Sequence, residues 1–184
     1  MKVKKINAVL GLLAIGLLFT HVIYEIYSYF TFYYNPKVTV IIAYGFVTCM
    51  MLHAVISMTM LGVIHDGNTI EKYPKENIRT ILQRASVGGL LLLLPFHIKT
   101  GDWIAKKFGG FSFLVVLIIL GVLFWAFTFI HVGASFTRAL ITLGIIKTSK
   151  TQKILDWIIW VICGILFLLS VFIIIKTQIA LFYM

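Results

Sequence analysis

Four histidines of this chain lie inside long apolar stretches, and they are the side chains best suited to chemistry. They are His21, His53, His97 and His131. An ionisable side chain within a membrane is costly, and such a residue indicates by default a proton pathway or a ligand site. Imidazole is also the commonest protein ligand for metals. For any one of these histidines taken alone, a hydrogen bond to a neighbouring helix is an equally good explanation.

The first and third of these histidines are predicted to lie at the same depth in a membrane. His21 follows Ile6 by 15 residues, and His97 follows Arg84 by 13 residues. An α-helix rises about 1.5 Å per residue, so both histidines lie about 20 Å from the inner membrane surface. We call His21 and His97 the outer pair.

The second and fourth histidines form a second level pair. His53 precedes Ile64 by 11 residues, and His131 precedes Arg138 by 7 residues. On helices that run inward, both lie about 10 to 16 Å from the inner surface. We call His53 and His131 the inner pair. Haem iron takes one axial imidazole from each side, so two level pairs predict two b-type haems stacked across a bilayer.

Small residues occur at the depths where each predicted haem would pass the two helices that do not ligate it. A porphyrin must press against those helices, and small side chains permit the approach. The residues expected near the inner haem are Gly11, Ala14, Ser86 and Gly89, and those expected near the outer haem are Gly45 and Gly121. The alternative is that small residues are common at all helix contacts in membranes.

The elements that must hold these histidines are transmembrane helices. The chain of 184 residues is 61% hydrophobic and 12% charged, with a mean hydropathy of +1.04. A spanning helix needs about 20 apolar residues. Five stretches qualify, at about residues 6–30, 38–64, 81–98, 111–146 and 154–184. The predicted fold class is all-α, a polytopic membrane protein with a single transmembrane domain over residues 1–184. Its first four helices form a four-helix haem-binding bundle, and the fifth is a packing helix.

The distribution of positive charge predicts the orientation of the chain. The first apolar stretch also fits a signal peptide, but it runs on into an aromatic cluster typical of a membrane interface, so we interpret it as a spanning helix. With the N-terminus inside, eleven of the sixteen Lys and Arg residues fall on the inner side, as the positive-inside rule requires. We therefore expect a multi-pass protein of the inner (cytoplasmic) membrane, with the N-terminus inside and the C-terminus outside. The net charge of +10 is not accompanied by a nucleic-acid-binding motif.

Three further charged residues are candidates for the site. Glu25 is a carboxylate one helical turn outward of His21, where it could exchange the proton that accompanies quinone chemistry, although an interfacial Glu reaching water would look the same. Arg84 and Arg138 lie at inner helix ends and are candidate partners of haem propionates, or ordinary positive-inside residues. His65, beside Asp66, is interpreted as a surface residue or the edge of a quinone pocket, and not as a ligand.

Three segments give the chain a resemblance to a known family. They are His53-Ala54-Val55, the stretch from Leu82 to Gly88 that leads to His97, and His131-Val132-Gly133-Ala134-Ser135-Phe136. In these segments the chain resembles the dihaem cytochrome b membrane anchor of succinate dehydrogenases and fumarate reductases, of the five-helix cytochrome b558 type. The resemblance implies that the outer pair binds the haem distal to the soluble subunits and that the inner pair binds the proximal haem.

The resemblance also implies a function and partners. A flavoprotein and an iron-sulfur subunit would dock on the basic cytoplasmic face, and electrons would pass between them and a quinone such as menaquinone. Dicarboxylate chemistry would then belong to the partners, and this chain would be the quinone-reactive subunit of the oxidoreductase. A related soluble reductase with another substrate is an alternative partner.

Two other functional classes compete with the dihaem anchor. A haem-free transporter or channel would use the buried histidines as a proton relay. Such a relay does not require level pairs, and it is usually accompanied by more carboxylates and broken helices than Glu25 and Pro95 supply. A structural scaffold or assembly factor would give no reason for four buried histidines.

Overall fold

The chain folds into five long α-helices. The computed structural model describes residues 2–63 and 74–184, with side chains described for 2–59 and 78–184. Each helix is long and apolar enough to cross a membrane, and the described ranges contain no strand. The predicted all-α fold class with five such helices is confirmed. The helices are α1 (Lys2–Thr31), α2 (Pro36–Val63), α3 (Pro74–Ala105), α4 (Gly110–Leu143) and α5 (Ser149–Tyr183).

The helix ends differ from the predicted stretches because hydrogen bonding, and not apolarity, defines them. The stretch predicted at 81–98 belongs to α3, which begins earlier, at Pro74, and ends later, at Ala105, and Pro95 does not interrupt it. α4 ends earlier than predicted, at Gly144, whose φ of 80° is easily adopted only by glycine. α5 begins earlier, because the Thr148 hydroxyl accepts a hydrogen bond from the Thr151 N–H at 3.2 Å. The turn predicted at 65–68, with His65, lies outside the described residues.

The first four helices pack in the order α2, α1, α4, α3. Among the described residues, α2 packs only against α1, whereas α4 packs against α1, α3 and α5. The diagonal pairs are α1 with α3 and α2 with α4, and in the described ranges their backbones stay more than 8 Å apart. The backbones of α1 and α3 are therefore separated by a gap, and so are those of α2 and α4. Each pair of histidines would have to span one of these gaps.

α4 supplies most of the core. Its side chains Phe124, Trp125, Phe129 and Val132 are buried in one cluster with residues of α1, α3 and α5. A helix that is apolar on nearly every side is expected to take the most buried place in a bundle. α4 thus packs against the outer pair on one side and against α5 on the other.

An ion pair joins α3, α4 and α5 at the end of the bundle where α3 and α5 begin. Arg79 donates from Nη2 to Asp156 Oδ1 at 2.8 Å and from Nη1 to Oδ2 at 3.0 Å. Its Nε donates to the Ala134 carbonyl at 2.8 Å, and the Thr137 hydroxyl donates to Asp156 Oδ1 at 2.6 Å. Arg79 precedes the apolar stretch predicted at 81–98, yet it lies on α3 and is half-buried, because the carboxylate of Asp156 on α5 neutralises it.

Candidate functional site

The outer pair lines a cavity in the outer half of the bundle. The cavity has a volume of about 740 Å³, and His21 of α1 and His97 of α3 both lie on its wall. The His97 ring stacks on Phe124 with centroids 4.3 Å apart and an interplanar angle of 12°. His21 Nδ1 is buried and has no hydrogen-bond partner. The two imidazoles thus line the same cavity, although they belong to helices whose backbones do not contact each other.

All five helices contribute to the wall of this cavity, which is mostly apolar. Gly121 of α4 lies on the wall, and a Cβ at this position would point toward α5, 3.6 Å from Ile174 Cγ2. Gly45 is not among the lining residues, because it faces Leu17 of α1, whose Cδ1 would lie 3.6 Å from a Cβ at position 45. α5 is predicted to be only a packing helix, but its Ser170 and Gln178 also line the cavity.

The inner pair is held by backbone carbonyls. His53 Nδ1 lies 2.9 Å from the Asn7 carbonyl oxygen of α1. His131 Nδ1 lies 3.2 Å from the Gln83 carbonyl oxygen of α3 and 3.3 Å from the Ser86 hydroxyl. A carbonyl can only accept a hydrogen bond, so each Nδ1 must carry the proton. Each Nε2 therefore keeps its lone pair, as a ligand nitrogen requires.

The small residues predicted near the inner haem take different positions. A Cβ at Gly11 would lie 3.0 Å from His53 Cε1, so glycine permits a close approach of the ring to α1 that a larger residue would disturb. Ser86 is buried and contacts His131, and Ala14 is buried on α1. At Gly89, by contrast, the space for a side chain is taken by the Phe127 ring.

The histidines meet in the predicted combinations. His97 is close enough to His21 for their charges to interact, and His131 is likewise close to His53. These are the α1 with α3 and α2 with α4 combinations, whose backbones lie apart. The members of each pair therefore lie near each other in the fold, and their ligation of haem stays a prediction.

The predicted charged residues take three different positions. Glu25 lies on the cavity wall, and its Oε1 accepts a hydrogen bond from the Thr39 hydroxyl at 3.0 Å. Arg84 is exposed on α3. Arg138 is half-buried, and it donates to Gln83 Oε1 and to Thr80 Oγ1, each at 2.9 Å. Glu25 is thus close to the outer pair, and Arg138 shares a partner residue with His131.

Sequence reasoning missed the groups that orient the inner pair. The Asn7 and Gln83 acceptors are backbone carbonyls, which every residue has, so no residue type indicates them. The Ser86 hydroxyl was predicted only as a small residue. Asp156 did carry a signal, since a carboxylate within the apolar stretch predicted at 154–184 requires a partner.

The residues around the two pairs are compatible with haem. The described residues contain no cluster of three or more His, Cys, Asp or Glu side chains able to hold an ion. Haem iron needs only two protein ligands, because the porphyrin supplies the others. The outer pair has a cavity beside it, and the inner pair has fixed tautomers and a glycine at the point of closest approach. Comparison with known protein families, curated proteins and solved structures finds no match.

Proposed function

We propose that this chain is a dihaem cytochrome b membrane anchor that passes electrons between a quinone and soluble subunits on the cytoplasmic side. The observation that carries the proposal is that His21 and His97, on helices whose backbones stay more than 8 Å apart, line one mostly apolar cavity. The fixed tautomers of the inner pair support it, since a proton relay needs both ring nitrogens to exchange protons, whereas an iron ligand needs one nitrogen kept bare.

In this function the side chains bind, orient and exclude water. Bound haem b supplies reversible one-electron chemistry. His21 and His97 would hold the outer haem, where the apolar wall excludes water. His53 and His131 would hold the inner haem. Glu25, hydrogen-bonded to Thr39 at the outer cavity, holds or releases a proton at its carboxylate when a quinone is reduced or a quinol oxidised there.

Charge on the predicted inner side supports a cytoplasmic partner. Arg84 is exposed there, and so are Lys147, Lys150 and Lys153 around the start of α5. The chain has only two cysteines, both within helices, so it cannot hold an iron-sulfur cluster on four cysteines by itself. A flavoprotein and an iron-sulfur subunit of a succinate dehydrogenase or fumarate reductase would supply the dicarboxylate chemistry, and menaquinone is the expected quinone.

The experiment that tests this proposal is a count of haem per chain. The protein is purified in detergent after expression with sufficient haem, and a reduced-minus-oxidised spectrum is combined with a pyridine haemochrome assay. We expect two low-spin b haems in the wild type and one in His53→Ala or His97→Ala. His65→Ala is the matched control and should keep two. If the wild type contains no haem, the proposal fails, and proton transport assays become the appropriate measurement.

A further inference from the structure

The two imidazole pairs differ in how firmly the protein holds them before any ligand binds. Both rings of the inner pair are hydrogen-bonded to carbonyls of a neighbouring helix, at 2.9 Å for His53 and 3.2 Å for His131. In the outer pair, His21 Nδ1 has no partner. Among the described residues, the His97 ring packs against Phe124 and Trp125 but makes no hydrogen bond.

Gln83 contacts His131 through its backbone and Arg138 through its side chain. Its carbonyl oxygen accepts from His131, and its side-chain Oε1 accepts from Arg138 at 2.9 Å. His131 and Arg138 lie seven residues apart on α4 and thus on the same face of that helix. One residue of α3 is therefore attached at two points to the α4 face that carries His131. The Ser86 hydroxyl, which also donates to the Gln83 carbonyl at 3.0 Å, completes the contact.

In the outer pair only one ring is held, and it is held by packing. His97 lies flat against Phe124, and this stack leaves the nitrogens at the edge of the ring accessible. His21 Nδ1 has no hydrogen-bond partner that would fix the orientation of its ring. Ordering a side chain on binding costs affinity, and preorganisation removes that cost.

We propose that Gln83 is a positioning residue that presets His131, and that the inner pair, whose two rings are both held by hydrogen bonds, binds haem before the outer pair does. This inference rests on the proposed function and adds to it an order of assembly and the residue that sets that order. Hydrogen bonds that orient a ligating histidine are typically worth about 10–100-fold in metal affinity. Two such bonds at the inner pair and none at the outer pair predict two separable binding steps.

The test is a haem titration of the chain produced in a haem-deficient host and purified in detergent. Ferric haem is added stepwise, and the low-spin bis-imidazole spectrum is recorded. We expect two steps, with the first at a haem concentration at least about tenfold lower than the second. His97→Ala should keep the first step and lose the second, and His131→Ala should lose the first. Two inseparable steps, or loss of the first step in His97→Ala, would overturn the inferred order.

Variants of Gln83 test its role without removing a ligand. Gln83→Leu keeps the backbone carbonyl that accepts from His131, but it removes the side-chain acceptor that ties Gln83 to Arg138. It should therefore weaken the first step by up to about tenfold, while the second step stays at its wild-type position. Gln83→Glu keeps an acceptor and should restore the first step. Gln83→Ala is the smaller second variant if Gln83→Leu is not recovered. A first step unchanged in both Gln83→Leu and Gln83→Ala would overturn the positioning role. Absence of haem binding in the wild type would instead refute the proposed function.

Discussion

At the scale of single residues, the position of His53 depends on the absence of a side chain at position 11. A Cβ there would lie 3.0 Å from His53 Cε1 and 3.2 Å from its Nδ1. The same ring is held by the Asn7 carbonyl at 2.9 Å, so it cannot move away from α1 without losing that hydrogen bond. Glycine at this position therefore controls the geometry of the inner pair.

Gly11→Val is expected to remove the inner haem and leave the outer one. The added methyl groups force the His53 ring off its carbonyl partner, and overpacking of this kind costs about 1–3 kcal/mol. The haem count should fall from two to one per chain in the pyridine haemochrome assay. Gly16→Val is the matched control on the same helix, because nothing lies within 4 Å of a Cβ there. Equal haem counts in the two variants would contradict this account of Gly11.

The residue scale also shows what could be predicted from the sequence. The depths of the histidines were predictable because the rise of a helix per residue is fixed. The rotation of each helix was not, and this explains Gly45. Eight residues turn a helix by about 800°, which leaves about 80° between Gly45 and His53 and places Gly45 toward Leu17. Haem ligation by the histidines stays a prediction.

At the scale of elements, the Arg79 and Asp156 pair joins α3 to α5 across α4. The two side chains are only 18% and 23% exposed, and the pair is bidentate. Removing one partner of a buried pair leaves an uncompensated charge, which typically costs about 3–5 kcal/mol, whereas removing both partners is often nearly neutral. The ion pair thus favours this arrangement of the three helices over alternatives, and it adds less to the free energy of unfolding.

Arg79→Leu or Asp156→Leu alone should lower the free energy of unfolding by about 2–3 kcal/mol, below the usual range because both groups retain some contact with solvent. The double variant should lie closer to the wild type than either single variant. Unfolding in detergent, followed by circular dichroism during SDS titration, measures the difference. Asp102→Asn, which removes the exposed pair with Lys106, is the control, with a change of about 0.5 kcal/mol or less. Additive effects of the two leucine substitutions would contradict the coupling.

α4 and α5 approach each other closely at Gly133. A Cβ at this position would lie 2.8 Å from the Trp160 indole, and Gly133 follows His131 by two residues. Gly133→Ala should therefore displace Trp160 or tilt α5, and it should lower the stability by about 1–3 kcal/mol. Tryptophan fluorescence and thermal unfolding in detergent report both effects. Gly164→Ala on α5 has open space and serves as the control. Unchanged fluorescence and stability in Gly133→Ala would contradict this prediction, because α4 and α5 would then accommodate the added methyl group without loss of stability.

The presence of five helices was predictable from the sequence, but the residues at which they end and the helices against which they pack were not. Long apolar stretches can satisfy their backbone in a bilayer only as helices or closed barrels, which made five helices predictable. The ends depend on local hydrogen bonds such as those at Gly144 and Thr148. The neighbours depend on pairs such as Arg79 with Asp156, whose members lie far apart in sequence.

At the scale of the whole molecule, the helices exceed the thickness of a bilayer. α4 has 34 residues and α5 has 35, so each is about 50 Å long, against about 30 Å of hydrocarbon. Their ends must project into the headgroups or water. At the predicted inner side these ends carry Lys147, Lys150 and Lys153, all exposed. Anionic headgroups or an acidic partner would find a continuous basic surface there.

The orientation of the molecule determines whether that basic surface can meet cytoplasmic subunits. With the N-terminus inside, eleven of sixteen Lys and Arg residues lie inside, whereas the inverted chain would place those eleven outside, against the positive-inside rule. We therefore expect alkaline phosphatase to be active when fused after Met184 and inactive when fused after Lys150, with green fluorescent protein giving the opposite pattern. Phosphatase activity after Lys150 would place the inner pair near the outer surface. That result would be consistent with the proposed haem sites. It would contradict a cytoplasmic iron-sulfur partner, because the inner pair would then lie on the far side of the membrane.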